Sequence, residues 1–543
     1  MTSRTTGPPA ASGLPSCFGE HFKLADEPWD RIRQLLGFGQ IARDDLLTAL
    51  DAAGQRSGGP FLLCIDGLNE SRPRGYWRNW LSALAGQAAR YQNVRLCVSC
   101  RSTYERLIVP EVHGLVRVEH GGFAGMENTA CRDFFEHYGL EPPVAPIFQP
   151  EFSNPLFLRL ACQTLRAAGQ RRMPAGWHGI NTALKAFIRE RNKAFAEEHE
   201  RDERERVPRL AMDEFMEEVE RAKKVYLGWG QANAAVERAR PQGLTGPSIL
   251  DWLVREGLLI TDADPDGDGP ESEDVVRVAF ERLGEHLFAD RLLGKVRPGD
   301  LTAAIESGAL AFAFSDAEAV LANRGLVEAL SIQVPERDGF GGELIDILPL
   351  GAPRDRVLSA TVATLPWRDP QHMTARTREI ACEALTSDNG GETFDNLLTI
   401  ACQETSPDAL WLDQLLRRQS MSQRDGFLCD YLHNRIGVSS AVERLMRAPF
   451  EVDAARVPEP ILVRWAILLL WFCVAADRRV RDRATKGLVA ITGPRPAVWA
   501  DLVRRFATVD DEYVVEPMPL CRLRHPPSRA GLRGGTRRLR KRL

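Results

Sequence analysis

Apolar residues in "PWDRIRQLLGF" (28–38) and "RDDLLTALDAAGQ" (43–55) recur every three or four positions, the spacing of a helix with one apolar side. After the break "SGGP", the stretch "FLLCID" (61–66) is apolar almost throughout, as in a buried strand. A helix at "GYWRNWLSALAGQAARY", a second strand at "VRLCVSC" and a third strand candidate at "GLVRVEHGGF" follow. Helix and strand in alternation predict α/β layers. Strands apolar on both faces predict a parallel sheet whose carboxyl ends hold the ligand site.

From about Glu127 the period is helical, through "TACRDFFEHYGL", "NPLFLRLACQTLRAAG", "GINTALKAFIRERNKAFAEEHERDERERV" and "AMDEFMEEVERAKKVYLGW", which predicts a helical lid. The stretch from "GPSILDWLVREGLLI" to "VVRVAFERLGEHLFADRLL" then reads helix, short strand, turn, strand, helix, the order of a small winged-helix unit. Beyond residue 300 helix follows helix with short polar breaks, as in stacked helical pairs, although no fixed-period repeat is present. The most apolar run, "ILVRWAILLLWFCVAA" (461–476), carries Arg464 and falls short of the ~20 residues of a spanning helix, so it reads as a core helix. No membrane attachment is expected.

Composition adds bounds. A chain of 543 residues, 44% hydrophobic and 27% charged, has material for roughly three or four globular domains. Its formal net charge of -4 offers no global attraction to nucleic acid or to an acidic membrane. Eleven cysteines, among them Cys64, Cys131, Cys162, Cys402 and Cys473 in core-like segments, read as buried thiols of a reducing compartment. The first twenty residues lack the apolar core of a signal peptide, so the cytoplasm is the expected location. The stretch 517–543 is different in kind: rich in Pro, Gly and Arg, without Asp or Glu, it cannot build a core. It reads as a shifted reading frame, with a nucleic-acid-binding arm as the alternative.

The candidate chemistry centres on "FLLCIDGLNES" (61–71), which places Asp66 at a strand's carboxyl end, where a carboxylate can hold a hydrated Mg2+ that bridges phosphates. Glu70 is close enough to polarise water; the plainer reading has Asn69 and Glu70 capping the next helix. If the two strands are neighbours, Arg101, in "CVSCRST", stands beside Asp66 as a sensor of the γ-phosphate; otherwise it is a surface arginine. Cys97 and Cys100 form a CxxC without a second pair, and a strand points them to opposite faces, which argues against zinc. "DADPDGDGPESE" matches the calcium-loop spacing at Asp262, Asp264, Asp266, Gly267 and Glu273 but has Gly269 where an apolar residue is needed, so an acidic hairpin is expected.

Together "FGEHFKLADEPWDRIRQLLGF", "FLLCIDGLNES", "VRLCVSCRSTYERLIVPE", "GGFAGMENTACRDFFEHYGLEPP" and "PEFSNPLFLRLACQTL" resemble the STAND NTPases, specifically the bacterial NACHT-like antiphage proteins of the Avs type. The resemblance covers Phe18 to Leu293 and continues through the helical region, where "LLLWFCVAADRRVRDRATKGLVAIT" is similar to the family's sensor repeats. It implies an unassigned segment at 1–17, a partial NTPase core at 18–150, a helical lid at 151–230, a winged helix at 231–300, sensor-type repeats at 301–515 and the basic tail at 516–543. The fold class expected is thus α/β plus α: an incomplete P-loop sheet, lid, winged helix and α-helical repeats.

By the same resemblance Asp66 is the Walker B carboxylate for Mg2+, Glu70 the acid that activates water, and Arg101 the sensor. Asn154 and Pro155, in "SNPLFL", match the motif whose proline packs on adenine, and His286, in "ERLGEHLF", the winged-helix histidine that touches the β-phosphate of ADP. ATP and Mg2+ are the implied cofactors. A phage protein recognised by the repeats and further copies of the chain are the implied partners. Yet the sequence contains no G-x-x-x-x-G-K-[ST]; its one Gly-Lys pair, Gly294 and Lys295, lacks the spacing and the hydroxyl. The expectation is a truncated or degenerate STAND ATPase for antiviral defence. The alternatives are a non-hydrolysing helical-repeat binding module and a basic-tailed nucleic-acid binder.

Overall fold

Phe61–Asp66 (β2) lies parallel to Val94–Val98 (β3) on one side and to the two-residue strand Cys17–Phe18 (β1) on the other, in the order β1-β2-β3. The register pairs Phe61 with Val94 and Ile65 with Val98, so the two longer strands end at the same level. The computed structural model describes residues 17–23, 27–73, 75–173, 180–222, 224–267, 273–387, 390–402, 408–437, 440–509, 511 and 514. The segment 1–16 and the tail 516–543 lie outside them.

Three helices, Pro28–Leu35 (α1), Arg43–Ser57 (α2) and Tyr76–Ala88 (α3), bury Trp29, Ile32, Leu46, Leu47, Trp77, Leu81 and Leu84 against Leu63, Ile65 and Val94 of the sheet. The strands then alternate: Leu63 and Ile65 are buried, whereas Leu62 is 48% exposed and Arg95 and Cys97 are exposed. The expectation of a sheet buried on both faces is corrected by this pattern. A continuous apolar run records what a strand could bury, but only neighbouring elements decide which face is covered. The third strand candidate also fails to form, for residues 114–120 adopt no strand, and Val116 and Val118 are 90% and 83% exposed. β-Branched residues favour a strand only where another strand accepts the backbone hydrogen bonds. Here Arg117 instead pairs with Glu105 of the helix Ser102–Ile108 (α4) at 2.7 Å.

At Gly54, helix α2 passes close to the backbone that leads into β2 and β3. A Cβ there would lie 2.6 Å from the Asn93 carbonyl and 3.0 Å from the Phe61 nitrogen, both backbone atoms. Gly54→Ala is therefore expected to destabilise this unit by about 1–3 kcal/mol through overpacking, read as a lowered thermal midpoint.

The chain divides into two compact units. The first comprises 1–120, 217–238 and 246–278; the second comprises 121–216, 239–245 and 279–543. Besides the parallel sheet, the first holds a small antiparallel one, Leu227–Gly228 (β4), Leu259–Ala263 (β5) and Asp274–Val278 (β6), in the order β4-β6-β5. Trp229–Val236 and Ile249–Arg255 are helices between β4 and β5. Strands β5 and β6 pair antiparallel, and two of the described carboxylates, those of Asp262 and Asp266, are committed to close neighbours. Asp262, 2% exposed, accepts from Arg277 at 2.6 Å and from Thr103 at 2.5 Å; Asp266 accepts from Lys224 at 3.0 Å and Tyr226 at 2.5 Å. Gly269 lies outside the described residues. Among those described, no group of three or more His, Cys, Asp or Glu is placed to hold a metal.

The regular elements among the second unit's described residues are all helices, so the molecule is mostly helix with one small parallel and one small antiparallel sheet. Its largest core surrounds the helix Glu459–Phe472, where Trp465 and Trp471 are buried with Leu468, Leu469 and Leu470. The most apolar run is thus a core helix, as expected. No described helix is long and apolar enough to cross a membrane.

Candidate functional site

The common end of β2 and β3 is where a carboxylate meets a hydroxyl. Asp66, the last residue of β2, is exposed, and its Oδ1 accepts a short hydrogen bond from the Ser99 hydroxyl. Ser99 directly follows β3. Its backbone N–H donates to the Ile65 carbonyl at 3.0 Å and its carbonyl accepts from Leu68 N–H at 2.9 Å. The Ser99 hydroxyl oxygen in turn accepts from the Gly67 N–H at 2.9 Å. These bonds extend the β2–β3 ladder by one residue and fix the Asp66 carboxylate at its rim.

Gly67 makes the turn that follows, with φ +70°. A side chain there would be strained and would meet the Glu70 carboxyl carbon at 2.9 Å. The Glu70 carboxyl therefore lies against the turn at Gly67. Asn69 is turned inward, 9% exposed, and its Oδ1 accepts the Arg101 backbone N–H at 3.2 Å. It holds the two strand ends together, a structural role that the spacing alone did not show. Ser71, fully buried, donates to the Gly19 carbonyl at 2.8 Å and accepts from the Trp77 indole at 2.7 Å, which anchors the far end of the turn.

Arg101 starts beside Asn69, but its guanidinium turns elsewhere: Nη1 donates to the Thr261 carbonyl of β5 at 3.0 Å. Thr103, Tyr104 and Arg106 of α4 bond the same hairpin, Tyr104 to Asp274 at 2.6 Å and Arg106 to the Pro265 carbonyl at 3.2 Å. The structure thus joins Asp66 to Ser99, sets Glu70 against Gly67, ties the Arg101 backbone to Asn69 and holds the Arg101 charge on the antiparallel sheet.

The other candidates belong to the second unit. Asn154 caps the helix Pro155–Ala167, accepting from Leu156 N–H at 2.9 Å and Phe157 N–H at 3.2 Å, and Pro155 occupies its first turn. Both are exposed. A capping asparagine followed by proline is what a helix start needs whether or not a base packs there. His286 lies in the helix Glu281–Gly294, 5% exposed, with Nδ1 2.7 Å from Asn181 Oδ1 and its carbonyl accepting from Gln333 at 2.8 Å. Burial, reinforced by Arg282 and Lys185, pulls its pKa down to about 3, so the ring is neutral. It borders a small cavity with Lys185, Arg209 and Asp290. Gly294 ends this helix and Lys295 caps it, so the single Gly-Lys pair is a helix terminus.

Sequence reasoning passed over Ser99, although a hydroxyl directly after the neighbouring parallel strand is the signal that could have found it. A carboxylate with one oxygen held by Ser99 and exposed to solvent fits a hydrated Mg2+, which needs only one or two protein carboxylates. The phosphates find no counterpart, since the sequence lacks the glycine-rich lysine loop that would cradle them. Comparison with family models and with curated proteins returned no match for this chain.

Proposed function

We propose that this chain is a degenerate STAND-type switch protein of the NACHT-like antiphage class, acting in the cytoplasm. Asp66 is its Mg2+ carboxylate, Glu70 its water-polarising acid and Arg101 its sensor; Asn154, Pro155 and His286 are its remaining nucleotide-contacting positions. The observation that carries the reading is the Asp66–Ser99 pair at the level ends of two parallel strands. It is supported by an antiparallel sheet of order β4-β6-β5 with two helices between β4 and β5, the topology of a winged helix. The helices of the second unit are the surface for a protein ligand, a phage component by the family resemblance, and assembly of several copies is the output. When bound, Mg2+ would neutralise phosphate charge beside Asp66; Glu70 would hold and orient water over Gly67.

Because the phosphate loop is missing from the sequence, ATP turnover measured by phosphate release is expected to stay at background, and Asp66→Ala to change nothing. Turnover abolished by that substitution would overturn the degenerate assignment. Binding of a fluorescent ADP separates the reading from its rival. Weak binding that needs Mg2+ and is lost in Asp66→Ala supports the STAND assignment; no binding, or binding indifferent to both, favours a helical-repeat binding protein. The extent of the helical core in the second unit, which involves no candidate nucleotide residue of the first, is what speaks for that second reading.

A further inference from the structure

Cys64 and Cys97 are 33 residues apart in sequence yet sit directly opposite each other in the β2–β3 register. Adjacent strands run about 4.8 Å apart. A disulfide accepts Cα separations of about 4.4–6.8 Å. In-register neighbours on parallel strands also point to the same face. That face is the open one: Cys97 is exposed, Cys64 half-buried, and Leu62 on the same side of β2 is 48% exposed. Asp66 follows Cys64 by one pleat repeat on this face.

Cys100, three residues beyond Cys97, is placed differently. It lies beyond the strand, half-buried, with Sγ 3.4 Å from the Arg101 carbonyl, and burial pushes its thiol up to about 12.

We propose that Cys64 and Cys97 form a reversible dithiol–disulfide pair on the open face of the parallel sheet, oxidised by a low-molecular-weight disulfide. Cys97, the exposed thiol, reacts first: its thiolate attacks the S–S bond of the oxidant, forming a mixed disulfide and releasing one thiolate. Cys64 then loses its proton to water, and its sulfur attacks Cys97 Sγ; the mixed bond breaks and the second thiolate leaves. Two protein thiols become one disulfide, and one oxidant disulfide becomes two thiols. The bond staples β2 to β3 beside Asp66. This inference rests on the register and exposure of the two cysteines, independently of any nucleotide reading.

The test uses the full chain in buffers of oxidised and reduced glutathione, quenched by alkylation, digested without reduction and analysed by mass spectrometry. A tryptic peptide holding Cys64 linked to the one holding Cys97 and Cys100 is expected, with parallel loss of alkylation at Cys64 and Cys97. Excess reduced glutathione should reverse it. The link should survive Cys100→Ser and vanish in Cys97→Ser. Unfolding the chain in guanidinium before oxidation should remove the preference. A Cys97–Cys100 bond, a glutathione adduct on Cys97 that never resolves, or no reaction overturns the proposal; the readings on the unaltered chain do not depend on any variant folding.

Discussion

Arg368→Met is expected to destabilise the second unit by about 3–5 kcal/mol, the effect of leaving one partner of a buried ion pair alone. The Arg368 side chain is 0% exposed and that of Glu343 3%. Arg368 Nη1 donates to both carboxylate oxygens, at 2.7 and 2.8 Å, while Nη2 donates to the Ser331 carbonyl at 2.8 Å. Thr377 adds a hydroxyl to Glu343 at 2.5 Å. Methionine would fill much of the volume but supply no charge, so Glu343 would either stay ionised without its cation or take up a proton. Removing both charges tests the cause. Arg368→Met combined with Glu343→Leu should recover most of the loss, because two apolar groups leave no orphaned charge. Thermal melts of the two variants decide it: equal destabilisation in the single and double substitutions would show that packing, rather than charge, dominates.

Stability of the same unit should fall as pH rises from about 5 to 8. Burial pushes the Glu151 carboxyl up to about 8 and that of Glu285 up to about 7, from an ordinary 4.5. Arg282, 3.9 Å from Glu151 and 3.4 Å from Glu285, pulls both down, as does Arg444 for Glu151. Glu328, which also holds Arg282 and Arg324, pushes both up, and Glu281 pushes Glu285. One Glu151 oxygen is buried without a hydrogen-bond partner. Since these folded-state pKa values exceed the unfolded ones, the folded chain binds more protons between pH 4.5 and 8. Their contribution is complete below about 4.5 and is lost as pH climbs through 7 and 8. Each pKa unit corresponds to about 1.4 kcal/mol, so the shift of the Glu151 carboxyl from 4.5 to about 8 corresponds to about 5 kcal/mol. Glu151→Gln, which cannot ionise, should flatten the thermal midpoint across this range and exceed the unaltered chain at pH 9. A variant melting in parallel with the unaltered chain at every pH would exclude Glu151 as the titrating group.

What could be read from the sequence was local. Helical periods at 28–38 and 43–55, the strands 61–66 and 94–98, and the core helix at 461–472 are written in residue order because each depends on neighbours within one or two turns. Asp66 at a strand's end and Asn154 with Pro155 at a helix start belong to the same class. What only the tertiary structure decided was which faces and which distant groups meet. It left one face of the parallel sheet open and residues 114–120 without strand pairing. It directed the Arg101 guanidinium to Thr261, 160 residues away, and brought Ser99 to Asp66 across 33. It also paired Cys97 with Cys64 in place of the nearer Cys100. The physical reason is common to all of these. An apolar period or a motif specifies what a segment can bury or bond, whereas its partner is chosen by packing and register between elements remote in the chain, which no short window contains.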